Sequence, residues 1–140
     1  MATYNKFNQY VLDLANGVHD WDAHTYKLML TNTAPVATNS VKANLTEITA
    51  GNGYTAGGAA TTITTSVSSG TSKAVGTDVT WTASGGTVGP FRYVVLYNDT
   101  PTSPADPLVA WWDYGSAITL SIGDSFTADV NATNGFWSLT

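Results

Sequence analysis

The stretch Gly89-Pro90-Phe91-Arg92-Tyr93-Val94-Val95-Leu96-Tyr97-Asn98-Asp99-Thr100-Pro101 restricts the fold more than any other part of the chain. Side chains alternate between the faces of an extended strand, so Phe91, Tyr93, Val95 and Tyr97 are expected on one face and Val94 and Leu96 on the other. A strand that is apolar on both faces must be covered on both, which puts it inside a β structure and away from an edge. Gly-Pro before it and Asn-Asp-Thr-Pro after it mark its ends.

Other strands are expected to pair with this one or pack over it. Tyr26, Leu28 and Leu30 alternate within residues 25–31, and Val79 and Trp81 point inward from 78–83. Leu108, Ala110 and Trp112 share one face of a strand over 107–114, with Val109 and Trp111 on the other. Ile118, Leu120 and Ile122 alternate before a turn at Gly123-Asp124, which leads into Phe126, Ala128 and Val130. Asn134-Gly135 has the form of a two-residue hairpin turn before Phe136-Trp137-Ser138-Leu139. The run Thr61-Thr62-Ile63-Thr64-Thr65 is polar on both faces, which suits an edge or a contact between copies. Strands at 25–31, 59–67, 72–83, 87–98, 107–114, 117–122, 124–131 and 135–139 predict a mainly β chain. The expected form is a single-domain antiparallel β-sandwich or jelly-roll-like fold over residues 1–140, with about eight strands.

One helix is expected, over residues 3–16. Thr3 is a suitable N-cap, Tyr4, Phe7, Val11 and Leu14 recur at helical spacing, and Asn16-Gly17 supplies a left-handed stop. Residues 36–58 form a long loop rich in Asn, Thr and Gly, with a helical turn near Lys42 to Ile48. Within it, Gly51-Asn52-Gly53-Tyr54-Thr55-Ala56-Gly57-Gly58 is a shaped segment anchored by Tyr54. A loop of this length in a small domain is often an interaction surface.

Chemistry narrows the function by exclusion. The 140 residues contain no cysteine, so disulfides, zinc-thiolate sites and thiol nucleophiles are all ruled out. Net charge is −5, and four scattered lysines with one arginine make no basic cluster, so nucleic-acid binding is not expected. The N-terminus lacks the basic and apolar regions of a signal peptide, and no apolar run is long enough to cross a bilayer. The chain is expected to be made in the cytoplasm and to stay soluble, without membrane association.

No catalytic constellation emerges. Glu47 is the only glutamate, Gly-x-Ser-x-Gly is absent, and the glycine-rich segment lacks the Lys-Ser/Thr ending of a phosphate cradle. His19-Asp20-Trp21-Asp22-Ala23-His24 holds both histidines. Their spacing of five points them apart, so a solvated turn is favoured over a metal or acid–base site. Neither catalytic nor metal-binding residues are assigned, and no cofactor is expected. Asn44, Asn98 and Asn131 begin glycosylation-type triplets, read as chance matches in a Thr- and Asn-rich chain. Arg92 needs an aspartate partner if buried. Trp111-Trp112-Asp113-Tyr114 suggests a sugar platform, but adjacent strand residues face opposite sides, so at most one tryptophan joins it.

Four segments carry a family resemblance. They are Thr3-Tyr4-Asn5-Lys6-Phe7 with Gly17-Val18-His19; Leu30-Thr31-Asn32-Thr33-Ala34-Pro35; Thr46-Glu47-Ile48 with Gly51 to Gly58; and Gly89-Pro90-Phe91-Arg92-Tyr93, Leu96-Tyr97-Asn98-Asp99-Thr100 and Trp112-Asp113-Tyr114-Gly115. Together they resemble a family of small virion structural proteins of tailed bacteriophages, some of which look like capsid cement or decoration proteins. The resemblance implies a non-enzymatic β module on the exterior of the virion, clamped across major-capsid-protein subunits and commonly a homotrimer. It carries over no catalytic residue. Contact with the shell or with neighbouring copies is expected from the N-terminal helix and the 36–58 loop, with Tyr4, Phe7, Tyr54, Trp111, Trp112 and Tyr114 as candidates. The alternatives are a carbohydrate- or host-surface-binding module, using Trp111, Trp112, Tyr114 or Trp137, and a tail or head-completion component.

Overall fold

The computed structural model describes residues 2–130 and 133–140. The described chain forms ten strands and one α-helix, a mainly β architecture of antiparallel sheets consistent with a β-sandwich. In chain order these are β1 (Thr3–Lys6), α1 (Asn8–Ala15), β2 (Tyr26–Thr31), β3 (Ala59–Thr61), β4 (Ile63–Ser68), β5 (Thr71–Gly76), β6 (Val79–Thr82), β7 (Val88–Asn98), β8 (Leu108–Leu120), β9 (Ser125–Ala128) and β10 (Trp137–Leu139). A five-stranded sheet runs β1-β8-β7-β2-β3, a three-stranded sheet runs β10-β5-β4, and β6 pairs with β9.

The middle strand of the large sheet is β7, as its two apolar faces require. Val94 and Leu96 enter the main core with Tyr26, Leu28, Leu30, Ala74, Trp81 and Ala128, between the large sheet and the two smaller ones. Tyr93, Val95 and Tyr97 face the other way, into a second core with Phe7, Met29, Leu108 and Trp111. Ala37 and Leu45, from the long loop, lie over that second core.

The β7–β8 register shifts in three places, the first between Val88 and Phe91, and the other two part residues expected on one face. The second lies between Phe91 and Tyr93, where Tyr114 to Ala117 of β8 face only Arg92 of β7. A displaced register changes which face a side chain meets, so Phe91 joins Val94 and Leu96 in the main core and parts from Tyr93. The third, between Leu96 and Tyr97, places Leu108 with Trp111 and Val109 with Ala110. Residues 107–114 and 117–122, expected as two strands, become one strand ending at Leu120, with Ile122 68% exposed beyond it.

The helix expected over 3–16 is also corrected. Thr3 to Lys6 pair with Asp113 to Ala110 as an edge strand, and the helix begins only at Asn8, capped by Phe7 in extended conformation. An available strand edge satisfies backbone groups over the whole of β1, which outweighs the weak local preference for helix. The helical phase differs accordingly: Tyr10 and Asp13 are buried, whereas Val11 is 51% and Leu12 53% exposed. The C-terminal stop is as expected, because Gly17 adopts φ +76°. The Gly17 N–H donates to Leu14 O and the Val18 N–H to Asp13 O, the paired bonds of a Schellman ending.

Asn134-Gly135 does not close a hairpin. The segment leads β10 onto β5, where Trp137 pairs with Ala74, and the Phe136 N–H donates to Ala74 O. The expected strand over 59–67 breaks into β3 and β4, which join different sheets, and that over 72–83 into β5 and β6. The polar run is an edge in both places: β3 ends the large sheet and β4 ends the three-stranded one, with Thr64 to Ser68 exposed.

Candidate functional site

The sheet brings three of the six candidate contact residues together and buries the other three. Tyr4 on β1 and Trp112 on β8 are cross-strand partners, and their rings meet edge to face with centroids 5.6 Å apart. Tyr114, two residues further along β8, projects in the same direction and meets Phe126 of β9 edge to face at 5.9 Å. Phe136 closes the back of the cluster, 6.0 Å from Trp112, and the Tyr4 hydroxyl donates to Phe136 O at 3.0 Å. These residues line a groove of about 870 Å³, with β1 and β8 as its floor and residues 126–130 and 134–136 as its walls.

The rings are held from behind and open in front. Tyr4 is 43% and Tyr114 50% exposed, whereas Phe136 is buried. Among the described residues Asp129 is the only charged one in the lining, with no Lys, Arg or His. Burial raises the Tyr4 pKa above its ordinary value, so the hydroxyl stays protonated and serves as a donor.

Phe7, Tyr54 and Trp111 are buried within this chain. Phe7 is fully buried and packs on Trp111 with ring centroids 4.4 Å apart, inside the second core. Trp111 and Trp112 therefore take opposite faces of β8, and only Trp112 reaches the groove. Trp137 is half-buried against Trp21, with centroids 5.8 Å apart, and lies outside the groove lining.

Tyr54 is 2% exposed and fastens the long loop from within. Its hydroxyl accepts from the Leu30 N–H at 3.0 Å and donates to Glu47 Oε1 at 2.6 Å. The same carboxylate oxygen accepts from the Gly57 N–H at 2.6 Å, and Lys42 Nζ lies 3.3 Å from Glu47 Oε2. Burial and the neighbouring carboxylate both push the Tyr54 pKa up, which keeps this donor protonated. The loop is thus braced between the two cores, with Tyr54 and Ile48 in the main one and Ala37 and Leu45 over the second, and the only glutamate of the chain is its internal tie.

The two histidines converge, contrary to the solvated turn expected for residues 19–24. Asn98, fully buried at the end of β7, donates through Nδ2 to His19 Nδ1 at 3.2 Å and to His24 Nδ1 at 2.9 Å. Its Oδ1 accepts from the Thr100 N–H. Sequence spacing missed this because the meeting point lies on a strand more than seventy residues away. His19 is buried beside Tyr10 and Tyr26, and desolvation lowers its pKa to about 4, opposed in part by Asp13. Trp21, between the histidines, stacks on Tyr26 at 4.0 Å in the main core. Among the described residues no group of three or more His, Asp or Glu is arranged to hold a metal ion.

Two further ion pairs lie at the surface of the large sheet. Arg92 forms a two-bond pair with Asp113, Nε to Oδ1 at 2.7 Å and Nη2 to Oδ2 at 2.9 Å. That hydrogen bonding lowers the Asp113 pKa and raises that of Arg92. Lys27 pairs with Asp99 at 2.8 Å. Asn98 cannot carry a glycan because it is buried, and Asn131 lies outside the described residues.

Nothing matches the chain among family models, curated proteins or solved structures.

Proposed function

We propose that the chain is a non-enzymatic virion structural protein of a tailed bacteriophage. In this reading it is a capsid cement or decoration protein that binds the outside of the shell across neighbouring major-capsid subunits. The observation that carries the reading furthest is the exposed aliphatic pair Val11 and Leu12 on α1, at 51% and 53% exposure. A short helix that turns two branched aliphatic residues to solvent, while its Tyr10 anchors it to the core, offers a ready apolar contact for a protein partner. Val36, 54% exposed, adds an aliphatic side chain from the long loop, and the Asn8 N–H bonded to Ala37 O ties helix and loop together.

Two further features support the reading. Lysines 27 and 42 and Arg92 are engaged in ion pairs that brace the fold, as expected of a scaffold whose work is adhesion. The exposed edge of β4, with Thr64, Thr65 and Ser66, offers backbone groups for pairing between copies, and a homotrimer built this way would present several α1 surfaces at once. Simultaneous engagement of several subunits multiplies modest individual affinities through effective concentration. The resemblance of the four quoted segments to virion structural proteins supplies the identity of the partner.

Purified protein added to expanded shells that lack it tests the proposal. The reading requires saturable binding and a higher melting temperature of the loaded shells. Absence of saturable binding sinks it.

A further inference from the structure

We propose that the aromatic groove between β1–β8 and β9 is a binding site for an uncharged oligosaccharide, on a surface separate from the aliphatic one assigned to shell docking.

The exposed large apolar residues divide into two sets. Val11, Leu12, Val36, Val67, Ile122 and Leu139 all lie outside the groove, and the two in its lining are the tyrosines Tyr4 and Tyr114. Aliphatic exposure suits a protein face. Tyrosine and tryptophan instead offer a flat apolar ring with a polar handle, the combination needed by a ligand that is apolar on its C–H faces and polar at its rim. A pyranose has that character.

Charge excludes the competing small ligands. With no Lys, Arg or His among the described residues of the lining, a net charge of −5 over the chain, and Asp129 at the wall, the groove disfavours phosphates, sulfates and uronates. A neutral polyol meets no such penalty, and its hydroxyls can donate to a carboxylate such as Asp129.

Shape and rigidity agree. About 870 Å³ lies within the range of roughly 300–1,000 Å³ for small-molecule sites, and extends beyond a single sugar ring to a short oligomer. The floor is already ordered: Tyr4 is pinned through its hydroxyl to Phe136 O, Trp112 is set between Tyr4 and Phe136, and Tyr114 leans on Phe126. Rings fixed on strands lose little side-chain entropy when a ligand stacks on them.

The test is isothermal titration calorimetry with a panel of neutral hexasaccharides (malto-, cello-, xylo- and chito-oligomers) and two anionic oligomers, hyaluronan and polygalacturonate. Saturable binding of at least one neutral oligomer is expected, about tenfold weaker in Tyr114→Ala and restored in Tyr114→Phe. Trp112→Phe serves as a second groove variant, and thermal melts establish that each variant is folded. No saturable binding by any neutral oligomer at millimolar concentration overturns the proposal, as does binding of the anionic oligomers alone. Neutral binding unchanged in both Tyr114→Ala and Trp112→Phe also overturns it. If Tyr114→Ala instead dissociates an oligomer of this chain and no sugar binds, the groove is a self-interface and the proposal fails. Val11→Ser/Leu12→Ser is expected to leave sugar binding intact, so failure of shell docking and failure of the groove are separately visible.

Discussion

Asn98 donates through its amide to Nδ1 of His19 at 3.2 Å, and the ring that receives it is only 6% exposed. The contact fits a neutral His19 whose Nδ1 accepts from the Asn98 amide, with the proton on an Nε2 that is buried without a hydrogen-bond partner among the described residues. Desolvation, which lowers the His19 pKa from 6.5 to about 4, works in the same direction.

A pH dependence of stability follows. His19 takes up its proton in the unfolded chain first, so acidification favours unfolding. Its effect is absent above about pH 6.5, grows as pH falls towards 4 and levels off below, reaching about 3 kcal/mol in full. Urea titrations between about pH 7 and pH 5, above most carboxylate titration, are expected to show about 2 kcal/mol of loss. The slope should flatten in His19→Gln. An undiminished slope in that variant would assign the effect to another group.

Tyr54→Phe tests the internal bracing of the long loop. The substitution keeps the ring but leaves the Leu30 N–H without its acceptor and Glu47 without one of its donors. A loss of about 1–3 kcal/mol is expected in denaturant unfolding. Shell binding by the protein that remains folded should be unchanged, since Tyr54 has no outward surface.

Glycine geometry gives a paired comparison. Gly58 and Gly70 both have positive φ, +76° and +79°, so alanine at either meets backbone strain of about 1–2 kcal/mol. At Gly58 a Cβ would also collide with the Leu28 carbonyl of β2, whereas at Gly70, in the β4–β5 turn, it meets open space. Gly58→Ala is expected to exceed Gly70→Ala by at least about 2 kcal/mol. Equal losses in thermal or urea melts would mean that the loop does not lie against β2 as described.

Val11→Ser with Leu12→Ser separates docking from folding. Both side chains are half-exposed, so stability should change by no more than about 0.5 kcal/mol per site. Affinity for shells should fall at least about tenfold. Unaltered shell affinity would move the docking surface elsewhere on the molecule.

The centre of this fold was legible because β7 carries its burial pattern in its own residues, apolar on both faces between clear stops. The opposite facing of Trp111 and Trp112 was legible for the same local reason. Partners distant in sequence were not. Tyr4 reads as helical because its spacing to Phe7, Val11 and Leu14 fits a helix, and only the edge of β8 makes Thr3 to Lys6 a strand. The groove shares this limitation: Tyr4, Trp112, Phe126 and Phe136 come from four separate segments, assembled by strand pairing across the whole chain. The shifts in register at Arg92 and at Val109 have no sequence mark that alternation alone detects, and they moved Phe91 and Leu108 to the opposite cores.

Copy number in purified virions tests the central claim most directly, measured by quantitative mass spectrometry with the major capsid protein as internal reference. A cement protein spread over the shell is present in a fixed, large ratio to the major capsid protein, and the ratio should drop when Val11 and Leu12 are replaced by serine. A handful of copies per particle, or none, would contradict it and return the chain to a tail or head-completion role or to no virion role at all.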